Sequence, residues 1–348
     1  MVKFIQFGDS GLFDEFLQNL DAEAFETPLL RVGKLIDWSL FEPQLLAAIA
    51  TVPKGPGGRP RFHPLLMFKV LVLQRLHSLA DDATSFQITD RDSFRTFLGL
   101  TPADLVPDGQ TIHDFRQTLI KQNTIEPLFE VFLDHLQQKH GLALAKAEVI
   151  LDASFVEVPK QRNTREQNAQ IKAGEVPQEF IDKPKLGAHK DTDARWTKKD
   201  FKTFYGYKNH IKVDVKTKLI LKSTVTAAQV HDSQAVEDLV SPEDIVLYAD
   251  SAYTGAPIAE QLEALGIEAK INEKGSKTTS LTDEQKASNR SKSKVRARVE
   301  HRFGYMTVSM HAMYQRSIGY ARNAAGIGLT NLVYNRMRFE QIQRLSLA

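Results

Sequence analysis

The 348-residue chain contains no cysteine and only two tryptophans. Without cysteine, disulfide bonds and cysteine-ligated zinc are excluded, so any metal must be held by oxygen or histidine ligands. Long apolar runs are missing as well, because Lys69, Gln74 and Arg75 interrupt the most apolar stretch, Leu65 to Leu76. Met1 to Phe13 lacks the basic segment and apolar run of a signal peptide. We therefore expect neither a signal peptide nor a membrane span.

The charge is distributed unevenly, although the formal net charge is only +2. Residues 1–50 carry three basic and eight acidic side chains, a balance of 3 − 8 = −5. Residues 160–222 carry 16 − 8 = +8, and residues 274–322 carry 11 − 3 = +8. A single charged run is usually solvated surface, but two basic regions favour a polyanionic partner such as nucleic acid.

Helical periodicity dominates residues 1–141, which we predict to be an all-α domain. The pattern predicts helices at residues 13–20, 38–50, 64–80, 82–88, 92–97, 110–122 and 124–140. The prolines and glycines of Pro53 to Pro60 predict a loop between the second and third of these. Short helices joined by tight turns fit a DNA-docking module, with Arg116 as a phosphate contact, and fit a plain helical bundle equally well.

Residues 142–348 change to a pattern of strands and helices. Strands are predicted at residues 147–152, 206–215, 218–227, 245–249 and 267–271, with helices near residues 231–233 and 257–265 and a last long helix that carries Glu300. This order predicts an α/β domain with a mixed sheet flanked by helices. Two basic segments, a long insertion at 160–203 between the first two strands and a linker at 274–294, show little apolar periodicity and are expected to be mobile.

Three carboxylates stand out in the α/β domain. Asp152 and Asp250 each follow a short apolar run, which predicts a position at the carboxyl end of a buried strand, where open α/β sheets bind ligands. Glu300 would share a helix face with Arg296 and Val299. A lone strand-end aspartate is usually a turn or a cap, but three such acids form an oxygen-only ligand set suited to Mg²⁺. Metal ions held in this way promote phosphodiester chemistry.

The acidic motifs are Leu151 to Ser154, Tyr248 to Tyr253 and Arg296 to Gly304, with intervals of 250 − 152 = 98 and 300 − 250 = 50 residues between the acids. Four further segments are Gly58 to Pro64, Pro107 to Thr111, Gly206 to Lys208 and Ala228 to Ser233. In this order, over nearly the whole chain, they resemble the bacterial insertion-sequence transposases of the DDE superfamily, in the group named after insertion sequence five.

The resemblance implies an RNase H-like catalytic domain that cuts and joins DNA at the ends of a mobile element. Asp152, Asp250 and Glu300 would hold two Mg²⁺ ions, with Mn²⁺ as a substitute. Arg296 matches the arginine four residues before the third acid, and we assign it to a DNA phosphate or to orienting Glu300. Further DNA contacts are assigned to Arg298, Arg302, Lys292, Lys294, Lys208 and Arg116.

The same resemblance implies double-stranded DNA as the partner, at terminal inverted repeats and target sites, and a homodimer bound to it. The helical N-terminal domain would serve DNA binding, dimerisation or both. The resemblance also implies a bacterial cytoplasmic location, with nucleoid association when DNA is bound.

Two positions depart from the family pattern: Thr307 stands where relatives often have lysine, and Ser293 where some have tyrosine. Two alternatives therefore stay open, a metal-dependent nuclease without strand transfer and a catalytically inactive DNA-binding derivative. Residues 231–233 are interpreted as a helix start with Asp232 or Ser233 as the cap, in preference to a DNA or metal contact. Tyr253 is either a base-stacking or a core residue, and Trp196 is a weak stacking candidate.

Overall fold

The computed structural model describes residues 27–50, 60–142, 144, 148–199, 201–275 and 280–347. The predicted helix at 13–20 and nearly all of the predicted loop at 53–60 lie outside these ranges. The described chain divides into two units, which are described separately. The first comprises the residues up to His140 together with Leu332–Leu347, and the second comprises Gly141–Asn331.

Helices form the first unit, and each predicted helix within the described residues is present. Their bounds are α1 Pro28–Leu35, a 3₁₀ turn Trp38–Phe41, α2 Glu42–Ile49, α3 Pro64–Leu76, α4 Asp81–Asp90, α5 Asp92–Leu98, α6 Gly109–Lys121 and α7 Ile125–His140. Side chains fix several helix starts: Asp108 accepts a hydrogen bond from the Thr111 N–H and His63 accepts one from the Leu65 N–H. Helix α5 ends at Gly99, whose left-handed backbone closes the helix.

Aromatic rings pack the centre of the first unit. Trp38 and Phe41 are buried and contact Phe68 and each other, and Phe132 lies between Phe41 and Phe339. Each buried ring of this size contributes on the order of 2 kcal/mol by leaving water. Four of these five rings lie in segments predicted to be helical, whereas Phe339 lies on a helix that was not predicted.

The second unit is built on one six-stranded sheet. Its strands are β1 Glu148–Glu157, β2 Arg195–Lys199, β3 Lys202–Asp214, β4 Ile220–Ala227, β5 Val246–Ala249 and β6 Glu268–Ile271. The order is β2-β3-β1-β5-β6, with β4 also paired to β3. β3 runs antiparallel to β1, β2 and β4, whereas β5 runs parallel to β1 and β6. The mixed α/β fold class is confirmed.

Helices flank this sheet. They are α8 Arg165–Lys172, α9 Gln178–Asp182, α10 Pro184–Gly187, the 3₁₀ turn Asp232–Ala235 followed by α11 Val236–Leu239, the 3₁₀ turn Ser251–Tyr253, α12 Ala256–Ala264, α13 Asp283–Val308 and α14 Tyr320–Leu345. Helix α14 was not predicted, and the Glu300 helix is α13, so the expectation that Glu300 lies on the last helix is wrong. From Leu332 onward, α14 belongs to the first unit.

The basic insertion is folded, contrary to the expectation of a segment without regular structure. It contains α8, α9, α10 and β2. Thr164 and Gln167 form a capping box at α8, and Asp191 is buried and accepts hydrogen bonds from the Tyr207 hydroxyl and the Gly319 N–H. Polar side chains satisfy the backbone here, so apolar periodicity is a poor guide. The predicted linker 274–294 is likewise partly helical, because α13 begins at Asp283.

None of the described helices is both long enough and apolar enough to cross a bilayer.

Candidate active site

Asp152 and Asp250 lie on neighbouring parallel strands. The β1–β5 register pairs Ile150 with Tyr248, and each aspartate follows its paired residue by two positions. Asp250 directly follows β5, as predicted, and its Oδ1 accepts the Ala252 N–H at 2.8 Å. Asp152, in contrast, lies within β1, because β1 continues to Glu157 through its pairing with β3. The sheet therefore brings the two aspartates side by side.

The electrostatics of Asp152 reflect this placement. Burial raises the pKa of its carboxyl to about 6, and the neighbouring Asp250 adds to the rise. The Ala153 N–H and the charges of Arg296 and Lys199 oppose it. A bound cation would stabilise the ionised form of Asp152, which burial and the neighbouring acid disfavour.

Arg296 lies beside the pair. Its Nη2 is 3.9 Å from Oδ2 of Asp250, and its Nε is buried without a hydrogen-bond partner among the described residues. The arginine is held by α13, which begins with a Thr282–Gln285 capping box and buries Val299. Arg296, which the sequence places on the same helix face as Glu300, is thus adjacent to Asp250, and its Nε has a hydrogen that is not yet donated.

Glu300 is exposed on α13, one helical turn beyond Arg296. Within the part of the chain that the structure describes, no group of three or more acidic or histidine side chains is arranged to hold a metal ion. The structure thus brings together Asp152, Asp250 and Arg296, and among the described residues Glu300 does not complete a metal-holding group of three with the two aspartates.

The other basic candidates on α13 differ in their surroundings. Arg302 is 1% exposed and donates from Nε to the Lys218 carbonyl, and Arg298 donates to the Val215 carbonyl. Lys292 donates to the Ile271 carbonyl at 2.9 Å, and Lys294 is exposed. Arg302 and Lys292 therefore tie the helix to the sheet, whereas Lys294 is directed to solvent.

Lys208 and Arg116 are each engaged by an aspartate. Nζ of Lys208 lies 2.7 Å from Oδ1 of Asp232. The Arg116 guanidinium donates to both oxygens of Asp81, at 2.6 and 2.7 Å, within the first unit. A bidentate pair of this kind fixes one side of a guanidinium in place.

The two departures from the family pattern make local contacts. Oγ of Ser293 accepts a hydrogen bond from Nδ2 of Asn272, the residue that follows β6. Thr307 donates its hydroxyl to the Phe303 carbonyl of its own helix. Neither contact supplies a positive charge.

The remaining predictions have clear positions. A helix does begin at residue 232, but its cap is His231, whose Nδ1 accepts the Ser233 N–H, rather than Asp232 or Ser233. Tyr253 is fully buried in the cluster of Leu247 and Ala249, so it is a core residue. Its hydroxyl has no hydrogen-bond partner among the described residues. Trp196 is 48% exposed, as a stacking candidate requires.

A cavity of about 490 Å³ lies in the first unit. Phe62, Met67 and Phe115 line its apolar part, and Asp108 and Asp114 are also in its wall. None of the predicted site residues lines it, so it is separate from the acidic pair.

Sequence reasoning missed two features near the aspartates. Lys199 is close enough for its charge to act on Asp152, and Asp232 is paired with Lys208 rather than free to bind a metal. The alternation of aromatic and basic residues from Trp196 to Lys208 was the available signal for the first feature. The pairing of Asp232 with Lys208 depends on which strand lies against which turn, and no local sequence pattern indicates it.

Comparison with known proteins places this chain in a family. The transposase DDE domain family matches residues 144–336, more than half of the chain, and a transposase domain (DUF772) matches residues 17–118. Among solved structures, the chain is similar to the cryo-EM structure of the piggyBac transposase synaptic complex with hairpin DNA, with 11% sequence identity and a TM-score of 0.42, over 93% of this chain and 77% of that one. Membership of the insertion-sequence-five group stays a prediction. The chain belongs to the DDE transposases of insertion sequences, the family that its three acidic motifs resemble.

Proposed function

We propose that this transposase binds the ends of an insertion sequence and catalyses metal-dependent DNA cleavage followed by strand transfer. The observation that carries the proposal is the placement of Asp152 and Asp250 on adjacent parallel strands with Arg296 3.9 Å from one of them. Such a site combines ligands for a hard cation with a donor for a phosphate oxygen.

The donor set fits a divalent cation. The two carboxylates lie side by side, and burial together with the charge of Asp250 raises the pKa of Asp152. In Asp250, the Ala252 N–H bonds to Oδ1, which leaves Oδ2 available to a ligand. Asp152 and Asp250 would hold Mg²⁺ or Mn²⁺, and Glu300 is proposed as the third ligand of a site with two ions, from its place in the family motif. When bound, divalent cations supply Lewis-acid polarisation of the phosphodiester.

The chain's own residues bind and orient the DNA in this proposal. Arg296 directs its guanidinium to a phosphate oxygen beside the scissile bond, while the exposed Lys294 and Arg298 contact phosphates farther along. Cleavage proceeds by in-line attack of water on a phosphodiester, and joining by attack of the released 3′-hydroxyl on target DNA. No covalent bond to the protein forms.

The helical N-terminal domain, residues 1–141, is proposed to bind DNA, to dimerise, or both, and a homodimer would hold two element ends. Phosphate contacts made by lysine and arginine release counterions, so the affinity for DNA should fall steeply as the salt concentration rises. The protein is proposed to be associated with the nucleoid while it is bound.

The test incubates the purified protein with Mg²⁺ and DNA that carries the inverted repeats flanking its gene, and separates the products on a denaturing gel. Cleavage with joined products supports the proposal. Cleavage alone would identify a nuclease without strand transfer, and binding with neither product would identify an inactive DNA-binding derivative.

Glu300→Gln tests the third acid separately, because the substitution changes only a surface carboxylate. Loss of cleavage is expected. Glu284→Gln, an exposed acid on the same helix, is the matched control and should cleave like the wild type. Equal activity of the two variants would remove Glu300 from the site.

A further inference from the structure

Strands β2 and β3 form a hairpin at the edge of the sheet. Its register pairs Arg195 with Gly206 and Lys199 with Lys202, so only two residues connect the strands. At Gly206 the pairing of β3 passes from β2 to β4. The φ of Gly206 is +144°, and a Cβ at this position would lie 2.3 Å from the Val156 carbonyl oxygen, so glycine is required where β3 passes β1.

Phe201 is the second of the two connecting residues. It is 96% exposed, and its backbone is left-handed, with φ of 64°. Two-residue hairpins favour glycine at a left-handed position, and a bulky side chain there is a strained exception. Neither core packing nor turn geometry accounts for a phenylalanine at this tip, which points to a role in contact with another molecule.

Three lysines and Asp200 are the sequence neighbours of the exposed ring. Nζ of Lys198 lies 5.9 Å from the ring centroid of Phe201, and Lys199 and Lys202 are exposed on either side of the connection. Trp196 of β2 is half exposed, and Nζ of Lys160, from the segment after β1, lies 5.8 Å from its ring centroid. Exposed rings interleaved with lysines are the surface that binds unpaired bases together with their phosphates.

The hairpin continues directly from the part of β3 that lies beside the aspartate-bearing strand β1. β3 pairs with β1 as far as the Gly206–Glu157 pair, and the ring of Phe204 stacks on that of Phe155 with 4.2 Å between their centroids. The exposed Lys198, Lys199 and Lys202 at the tip complement a polyanion. This charge favours DNA over a second copy of the chain as the molecule that covers Phe201.

We propose that the tip of the β2–β3 hairpin contacts the bound DNA, with the Phe201 ring stacked on an unpaired base and Lys198, Lys199 and Lys202 bound to the flanking phosphates. The proposal rests on the proposed function and adds that the β2–β3 hairpin recognises a single-stranded or frayed segment of the DNA. Stacking requires an open base face, so the tip distinguishes such DNA from a continuous duplex.

The experiment compares two DNA probes of the same sequence, a blunt duplex and a duplex with a single-stranded overhang that contains the fluorescent base analogue aminopurine. The wild-type protein should bind both, bind the overhang probe more tightly, and quench aminopurine fluorescence through stacking. A wild type that binds both probes equally and does not quench would overturn the inference while leaving DNA binding intact. Binding of neither probe would contradict the proposed function itself.

Variants at Phe201 separate the ring from its apolar bulk. Phe201→Leu keeps a large apolar side chain at the strained position, and should lose the overhang preference by about tenfold while retaining the duplex affinity. Phe201→Tyr keeps the ring and should retain the preference and the quenching. An unchanged preference in Phe201→Leu, or its loss in both variants alike, would overturn the assignment.

Analytical ultracentrifugation of the same variants tests whether a second copy of the chain, rather than DNA, covers Phe201. If Phe201 packed against a second copy of the chain, Phe201→Leu would shift the monomer–dimer equilibrium without changing aminopurine quenching, and the inference would be wrong. An unchanged sedimentation profile together with lost quenching supports the DNA contact.

Discussion

Among the single residues, Arg296 and Arg302 show how two arginines on one helix take different roles. Arg302 is buried and donates to a backbone carbonyl, so its charge is used within the fold. Arg296 faces Asp250 and has a buried donor without a partner among the described residues. The family resemblance assigned both to DNA, and such a match cannot tell which cation is covered by the neighbouring hairpin.

Arg296→Ala should lower the cleavage rate by about tenfold to a hundredfold, because a charge-assisted donor to the phosphate is lost. Arg296→Lys should recover part of the rate, since lysine supplies the charge without the planar pair of donors. The measurement is the single-turnover cleavage rate. Arg290→Ala removes an exposed arginine of the same helix and serves as the control; equal rates for Arg290→Ala and Arg296→Ala would contradict the role.

Arg336 is the second residue that stands out, and it lies in the first unit. It is fully buried, its guanidinium carbon lies 3.4 Å from the ring centroid of Trp38, and its nitrogens have no hydrogen-bond partner within the described ranges. Burial holds the pKa of Arg336 well below its ordinary value. A cation–π contact recovers about 2 kcal/mol, less than the several kcal/mol that desolvation of the charge costs.

Arg336→Met should therefore raise the free energy of unfolding by about 1–4 kcal/mol, since it replaces a buried charge by an apolar side chain of similar length. Urea denaturation measures the change. Arg336→Ala is the comparison, because it removes the charge but leaves a cavity among Trp38, Phe41 and Phe132. A less stable Arg336→Met protein would show that the charge is compensated.

Among the secondary-structure elements, the strands were easier to predict from the sequence than the positions at which they end. The apolar run of β5 ends at Ala249, one residue before Asp250, as its pattern indicates. β1 extends five residues past Asp152, because cross-strand pairing with β3 maintains the strand where its own apolar pattern has stopped. The folded insertion was missed for the related reason that capping boxes and buried hydrogen bonds leave no periodic signal.

Strand β3 is also fixed to the segment before β5 by a buried ion pair. Nζ of Lys212 donates to both carboxylate oxygens of Asp244 at 3.0 Å and to Ser241, and both charged side chains are almost completely buried. Lys212→Met should lower the free energy of unfolding by about 3–5 kcal/mol, because Asp244 would keep a buried charge without its partner. Thermal or urea unfolding provides the value.

Lys216→Met, in the exposed turn after β3, is the matched control and should change stability little. The double variant Lys212→Met, Asp244→Leu should recover much of the loss, since neither charge then remains buried alone. A single variant as stable as the control would show that the pair is not structurally important.

The β2–β3 hairpin gives a further prediction about an element. Phe201→Gly should leave the protein as stable as the wild type or more stable by up to about 1 kcal/mol, because glycine adopts the left-handed backbone without strain. Thermal unfolding is the measurement. A marked loss of stability would mean that the exposed ring supports the fold, and the functional interpretation of the tip would then lose its basis.

For the whole molecule, the fold class and the order of the secondary-structure elements were predictable from the sequence. The assembly of the candidate site was predictable only in part. The switch from helical to alternating periodicity near residue 142 predicted an α-helical region followed by a mixed sheet, and both are present. Asp152 and Asp250 meet because β1 and β5 are adjacent and parallel, a pairing that the sequence patterns did not predict. The exposure of Glu300 depends on how α13 is rotated against the sheet, and this is set by contacts such as Arg302 with Lys218 that no local pattern encodes.

The central claim is that Asp152 and Asp250 together support metal-dependent cleavage of DNA. Its most direct test measures the cleavage rate in Mg²⁺ of the wild type, Asp152→Asn, Asp250→Asn and the control Glu284→Gln. Circular dichroism verifies that each protein is folded. Both aspartate variants should be folded and bind DNA but lack cleavage, while Glu284→Gln and the wild type should cleave and should stop when the metal is chelated. Wild-type cleavage that persists in a folded Asp152→Asn or Asp250→Asn protein would contradict the claim.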